Sequence, residues 1–177
     1  MSLSLKALNH PVDKIQTATA AILFIGMAGT VGTALAFEHW GGFMPCKLCL
    51  EQRTPYYIGI PLMAAALLFA KAKWSPVLTR VLLLIGALLM SYGLMLAIYH
   101  TGVELKYWPG PADCSTASMS ITTEAGSLLG NINKIRPPAC DEAAGHFLGL
   151  SFPGWNILAS VLFAAVGFYG AFSTRKA

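Results

Sequence analysis

Four long apolar segments constrain this chain more than any other feature of its sequence. Their approximate bounds are residues 17–37, 54–70, 81–99 and 155–172. A helix that crosses a bilayer needs roughly 20 apolar residues, and within lipid each backbone polar group must find its hydrogen bond inside the protein. The segments lack strand-like alternation, so we predict an all-α membrane protein, a four-transmembrane-helix bundle that forms a single integral membrane domain over residues 1–177.

Two of these segments leave alternatives open. The second is short for a span unless its helix begins near Cys46. The first ends in Ala34-Leu35-Ala36, which resembles a signal-peptidase site, and cleavage there would leave three spans. Its apolar run is long for a signal peptide, so we favour four spans.

The distribution of basic residues predicts how the helices are oriented. Lysine and arginine are concentrated in the two tails and in the turn between the second and third segments: Lys6, Lys14, Lys71, Lys73, Arg80, Arg175 and Lys176. By the positive-inside rule these parts face the cytoplasm, and the loops of about 38–53 and 100–154 face the other side. The net charge of +4 therefore reflects topology, and no basic–aromatic patch indicates nucleic-acid binding.

All four cysteines lie in the two loops that we place outside: Cys46, Cys49, Cys114 and Cys140. A bacterial periplasm, or an equivalent oxidising compartment, permits disulfides that the cytosol does not. Charge distribution and cysteine placement are independent signals, and they agree. A dithiol at a membrane edge can pass electrons between a water-soluble thiol and a lipid-soluble acceptor, so redox chemistry is the leading hypothesis.

The Cys46-x-x-Cys49 motif has the features of a reactive dithiol. Pro45 suits a helix start, and a helix N-terminus lowers the pKa of a thiol. If a helix runs on from this motif, then Cys46, Cys49 and Arg53 share one face, and Pro55 would kink that helix or mark a fresh start after Thr54. The cation of Arg53 would then stabilise a thiolate, or an acceptor oxygen that gains negative charge.

Two other interpretations of the cysteines are a structural staple and a metal site. Closing the Cys46–Cys49 loop would stabilise the fold by only about 2 kcal/mol, against about 3.5 kcal/mol for a Cys114–Cys140 loop, so the second pair taken alone suggests a structural bridge. Four cysteines, or cysteines with histidines, could also bind zinc. The corresponding alternatives are a disulfide-stapled membrane scaffold and a metal-binding membrane protein, both without turnover.

The remaining polar positions are less informative. His100, at the end of the third segment, is either an interfacial anchor or a functional group that meets the Cys46–Arg53 segment. We expect Glu38, His39, Glu51 and His146 to be surface residues, because the sequence shows no partner for them. Apolar residues at helical spacing between residues 121 and 132 predict a short amphipathic helix in the long loop, on the membrane surface or packed on the bundle.

Several segments together resemble the DsbB family, the quinone-linked disulfide bond formation proteins of bacterial inner membranes. They are residues 45–53 (PCKLCLEQR), 99–104 (YHTGVE), 108–114 (WPGPADC), 138–141 (PACD) and 147–156 (FLGLSFPGWN). The resemblance extends over nearly the whole chain. It implies a multi-pass protein of the bacterial inner membrane, with cytoplasmic tails and periplasmic cysteine loops.

The resemblance also implies a mechanism and a set of site residues. A reduced periplasmic thioredoxin-fold oxidase (DsbA-like) would attack a Cys114–Cys140 disulfide, and Cys114 would form the mixed disulfide. Electrons would pass to Cys46 and Cys49 by thiol–disulfide exchange. Cys49 would then reduce a membrane quinone, either ubiquinone or menaquinone, bound beside Arg53 and His100.

Overall fold

The computed structural model describes residues 12–111, 114 and 139–173. This part of the chain forms four helices, α1 (Lys14–His39), α2 (Lys47–Ala72), α3 (Pro76–Glu104) and α4 (Phe152–Phe172), with a hairpin of β1 (His146–Phe147) and β2 (Leu150–Ser151) directly before α4. All four helices are long and apolar enough to cross a membrane, which confirms the predicted class. The amphipathic helix predicted within residues 121–132 lies outside the described residues.

Helix α2 is longer than the second predicted span, because it begins at Lys47 and not near residue 54. Cys46 is its N-cap residue, and the Cys46 sulfur accepts a hydrogen bond from the backbone N–H of Cys49 at 3.3 Å. The helix continues through Pro55 and Pro61. Prolines are tolerated in transmembrane helices when their surroundings satisfy the freed backbone groups. The cysteine pair and the second span are therefore one continuous helix.

The bundle packs in a cycle, in which α1 contacts α2 and α4, and α3 contacts the same two helices from the other side. Its core contains fully buried apolar side chains from three helices: Leu23, Met27, Met63, Leu83 and Met90. Helices α3 and α4 approach closely at Gly167, where an added Cβ would lie 2.9 Å from that of Ala87. Such small residues let helix backbones meet in a membrane protein, where dispersion contacts replace the hydrophobic effect.

All four cysteines lie at one end of the bundle, where α2 and α4 begin and α1 and α3 end; we call it the cysteine end. There the chain leaving α3 folds back on that helix. The Trp108 indole donates a hydrogen bond to the Tyr99 carbonyl at 2.8 Å and covers Gly102 so closely that an added Cβ would lie 2.0 Å from the ring. Gly102 is therefore required for the return that leads the chain towards Cys114.

The opposite end of the bundle is held together by two side chains that contact the last turn of α4. The buried Arg80 guanidinium donates to the carbonyls of Ala171 at 3.0 Å and Ser173 at 2.8 Å, and the Gln16 amide donates to the Ser173 carbonyl at 2.9 Å. The last carbonyls of a helix have no partner within it, and a cation near them is favourable. Arg80 is thus both a topology signal and the cap of α4.

We predict that Arg80→Met destabilises the bundle by about 2–3 kcal/mol, because the α4 carbonyls lose a charged donor in a buried position. Thermal unfolding in detergent, followed by circular dichroism, would show a lower midpoint. Lys71→Met is the matched control, since it removes an exposed cation from the same end. Equal midpoints for the two variants would contradict a capping role for Arg80.

Candidate functional site

Cys46 and Cys49 are free thiols whose sulfurs lie 2.9 Å apart. A disulfide bond is roughly 2.05 Å long, so a small side-chain rotation would join them. The extended backbone of Cys46 at the helix N-cap, followed by a first turn that contains Cys49, produces this proximity. The motif therefore forms a dithiol that can open and close without refolding the helix.

The other two cysteines form a disulfide that packs against this dithiol. Cys114 and Cys140 are joined, and both are buried in a cluster with Cys46, Leu48 and Val103. Cys49 is only half-buried and packs at the edge of that cluster. The structure thus brings all four predicted cysteines together and places Cys46 on the side of the disulfide, an arrangement suited to thiol–disulfide exchange.

His100 reaches the same cluster from α3. Its Nε2 atom lies 3.6 Å from the sulfur of Cys46, and its Nδ1 atom lies 2.6 Å from the amide nitrogen of Gln52. An amide nitrogen can only donate, so Nδ1 is the acceptor and the imidazole proton is on Nε2. The histidine therefore directs an N–H group towards Cys46.

These contacts favour the thiolate form of Cys46. The hydrogen bond with Cys49, in which a Cys46 thiolate would accept the Cys49 proton, lowers the pKa of Cys46 from its ordinary value of 9.0 to about 4, with further help from His100. Burial acts in the opposite direction and is outweighed. Cys46 is therefore the charged, nucleophilic member of the pair at neutral pH.

A cavity of about 590 Å³ opens beside Cys49, between α1, α2 and α4 at the cysteine end. Its walls are mostly aromatic and apolar, and its polar lining residues are Thr30, Thr33, Glu38, Cys49, Gln52, Arg53, Tyr56 and Asn156. The volume and lining are typical of small-molecule sites, and flat aromatic walls suit a ring-shaped ligand. Cys46 and His100 are not among the lining residues, so the structure brings Cys49 and Arg53 to the cavity but places His100 behind Cys46.

Arg53 is held at the cavity by an ion pair. Its Nη1 atom lies 2.5 Å from a carboxylate oxygen of Glu38 at the end of α1, and only 14% of the Arg53 side chain is exposed. The expectation that Glu38 is a surface residue was therefore wrong, whereas His39, Glu51 and His146 are exposed as expected. The sequence signal that could have predicted this ion pair is the position of Glu38, an acidic residue at the end of a span and shortly before the cysteine motif.

A set of hydrogen-bonded polar residues inside the spans was not predicted from the sequence. The Tyr56 hydroxyl donates to the Asn156 side-chain oxygen at 2.5 Å, and the Asn156 amide donates to the Gln52 side-chain oxygen at 2.5 Å. Ser160 lies 3.2 Å from the Tyr56 hydroxyl. Asn156 and Ser160 stand four residues apart in an apolar helix, and polar groups within a span usually have a partner and a function.

The geometry disfavours the metal-site interpretation. Cys114 and Cys140 are joined to each other, so the four cysteines do not form one set of thiolate ligands. The potential ligand atoms of Cys46, Cys49 and His100 do lie within 4.8 Å of one another. However, two thiolates on a tetrahedral zinc ion, each about 2.3 Å from the metal, would be about 3.8 Å apart, well beyond the 2.9 Å between these sulfurs. The spacing fits a dithiol better.

Comparison with known proteins gives a consistent result. The family model described as "Disulfide bond formation protein DsbB" matches residues 16–170. A disulfide bond formation protein B of Idiomarina loihiensis is 32% identical, over 86% of this chain and 81% of the relative. Proteins of the same description from Histophilus somni and Hahella chejuensis are each 30% identical, over 81% and 82% of this chain and 79% and 87% of theirs. No solved structure gives a significant match.

We predict that Cys46 remains ionised far into the acid range in the protein with a reduced Cys46–Cys49 pair. Thiolate absorbance at 240 nm, taken as the difference from Cys46→Ser, should fall only as the pH drops through about 4, whereas a thiol with the ordinary pKa of 9.0 would lose it near pH 9. The denatured protein provides the control. A midpoint near that ordinary value in the folded protein would contradict the stabilised thiolate.

Proposed function

The chain belongs to the DsbB family of disulfide bond formation proteins, and on that premise we propose that it is a quinone-dependent oxidoreductase that generates disulfides. Family membership makes it a disulfide-forming membrane oxidoreductase. The finer proposal is that it reoxidises a thioredoxin-fold dithiol oxidase of the DsbA type and passes the electrons to ubiquinone or menaquinone.

The two-sided position of the cysteine pair is the observation that carries this proposal. Cys46 lies in one buried cluster with the Cys114–Cys140 disulfide, whereas Cys49 lies at the edge of that cluster and lines the aromatic cavity. The cavity is large enough for a quinone ring, and Arg53 provides a cation for a carbonyl oxygen that gains negative charge. One helical turn therefore links a loop disulfide to a site suited to a lipid-soluble acceptor.

The first half of the proposed reaction is thiol–disulfide exchange in the loop. A thiolate of the partner oxidase attacks Cys114, the Cys114–Cys140 bond breaks, and the electron pair leaves on Cys140. The Cys140 thiolate then attacks Cys46 in the oxidised Cys46–Cys49 pair and releases Cys49 as a thiolate at the cavity. The second thiol of the partner closes the partner's own disulfide and releases Cys114.

The second half restores both pairs. Cys114 attacks the Cys140–Cys46 disulfide at Cys140, which re-forms the loop disulfide and releases Cys46 as a thiolate. A quinone held at the cavity would supply the acceptor for the two electrons and two protons that Cys46 and Cys49 release. Cys46 and Cys49 then close their disulfide, so that the net change is one new disulfide in the partner and one quinol in the membrane.

We further propose that the whole chain is one integral domain of the bacterial inner membrane, in which the cysteine end faces the periplasm and both tails face the cytoplasm. Basic residues concentrated near the opposite end support this orientation, including Lys71, Lys73 and Arg80. A periplasmic position gives the loop disulfide access to a soluble partner, while the cavity between the helices remains close to lipid-dissolved quinone.

The decisive experiment is anaerobic quinone reduction by the purified protein, supplied with a reduced thioredoxin-fold oxidase and followed by quinone absorbance. We predict turnover that is lost in Cys49→Ser, because that variant cannot close the disulfide at the cavity. Ser91→Ala, which removes a hydrogen bond within α3, is the control for nonspecific damage. A folded protein without turnover on any common quinone would favour a disulfide-stapled scaffold.

We predict that Arg53→Met lowers kcat/KM for quinone about tenfold, since it removes a cation that would stabilise the negative charge developing on the acceptor in a low-dielectric cavity. Exchange between the loop cysteines and the Cys46–Cys49 pair should continue, because Arg53 does not contact the disulfide. Stopped-flow quinone kinetics and trapping of the cysteine redox states would separate the two steps. Unchanged quinone kinetics would remove Arg53 from the proposed site.

A further inference from the structure

A line of hydrogen-bonded side chains crosses the bundle from α4 to the sulfur of Cys46. It connects, in order, Ser160, Tyr56, Asn156, Gln52, His100 and Cys46, with successive distances of 3.2, 2.5, 2.5, 2.6 and 3.6 Å. The line draws on α2, α3 and α4, and all of its members are buried except Asn156, which is half-buried. We call it the polar line.

The donors of the polar line all point in one direction. The Tyr56 hydroxyl donates to Asn156, whose amide donates to Gln52. The Gln52 amide nitrogen then donates to Nδ1 of His100, which leaves the N–H of Nε2 directed at Cys46. Reversing the Gln52 amide would place its oxygen against Nδ1 and its nitrogen against the nitrogen of Asn156. With the donors in this order, the proton of neutral His100 is on Nε2, whereas turning the Gln52 and Asn156 amides together would place it on Nδ1.

We propose that Gln52 and Asn156 are positioning residues that hold His100 in the Nε2–H tautomer, so that it donates to the Cys46 sulfur and makes Cys46 the better leaving group. The inference rests on the proposed function, in which Cys114 attacks Cys140 and the electron pair of the broken Cys140–Cys46 bond leaves on Cys46. A leaving thiol with a stabilised thiolate departs faster. Amides do not pass protons readily, so the polar line orients a donor and does not conduct protons.

The burial of the polar line explains how two residues that do not touch the sulfur can control it. In a low-dielectric interior an unpaired polar group is costly, so each amide keeps the orientation that its neighbours require. His100 is 2% exposed, so its orientation depends on its partners within the protein. Among the described residues, the other charged or ionisable side chains within one turn in sequence of Cys46, His100 or Cys140 are Lys47 and Cys49 on α2, Tyr99 and Glu104 on α3, and Asp141 and Glu142 after Cys140, and Arg53 lies one turn beyond Cys49.

The test measures the tautomer and the ionisation of Cys46 in protein with a reduced Cys46–Cys49 pair, without quinone or partner. Nitrogen-15 NMR of histidine-labelled protein, with His100 identified by its loss in His100→Phe, should show a proton on Nε2 and none on Nδ1. Gln52→Leu and Asn156→Leu should abolish this single tautomer. In Gln52→Leu, the pH at which half of the Cys46 thiolate absorbance at 240 nm is lost should rise by about one to two pH units. This corresponds to a 10- to 100-fold weaker acid ionisation of Cys46.

Gln52→Glu is the conservative counterpart. A carboxylate at this position accepts a hydrogen bond from Nδ1–H and another from the Asn156 amide, which favours a His100 protonated on both nitrogens that keeps its donor towards Cys46. The Cys46 midpoint should therefore stay low in Gln52→Glu, although it rises in Gln52→Leu. Ser91→Ala again serves as the control, and its midpoint should equal that of the unmodified protein.

Two results would overturn the inference. One is a proton on Nδ1 of His100 in the unmodified protein, which requires no variant and so does not depend on a variant's folding. The other is a Cys46 midpoint that remains unchanged in both Gln52→Leu and Asn156→Leu. Failure of the proposed function would appear separately, as absent turnover in the quinone assay with these spectroscopic results intact.

Discussion

Polar groups inside a membrane bundle depend on the protein itself for their hydrogen-bond partners, and the arrangement of this molecule follows from that constraint. Lipid offers no hydrogen bonds, so a buried donor or acceptor without a partner is costly. At one end Arg80 and Gln16 satisfy the last carbonyls of α4. At the other end the polar line joins three helices below the cysteines. Polar contacts thus fix how the helices are rotated against one another.

The cysteine pair depends on this rotation. Because Cys46 is the N-cap and Cys49 lies in the first turn of α2, the two sulfurs touch while facing different surroundings. Cys46 meets His100 and the loop disulfide, and Cys49 meets the cavity. A rotation of α2 about its axis would exchange or lose these contacts. Because α2 is continuous through Pro55, the packing of this helix within the bundle also fixes the orientation of the two cysteines at its N-terminus.

Arg53 and His100, the two hydrogen-bond donors beside the Cys46–Cys49 pair, lie in separate environments. Arg53 reaches the cavity and is balanced by Glu38 from α1, whereas His100 stands behind Cys46 and is oriented from α2 and α4. In the proposed reaction the first group acts where negative charge develops on the acceptor, and the second acts where it develops on a leaving sulfur. The dithiol thus has electrostatic support on both of its sides.

The sequence by itself determined the membrane class, the four spans and the position of every cysteine outside the apolar runs, because length and hydropathy alone decide whether a helix can cross a bilayer. Local pattern also placed Arg53 on the face of Cys46 and Cys49. Only the tertiary structure decided that Glu38 pairs with Arg53, that His100 meets Cys46 and that Asn156 reaches Gln52. These partners lie on different helices, and their meeting depends on helix rotation and packing, which no local pattern encodes.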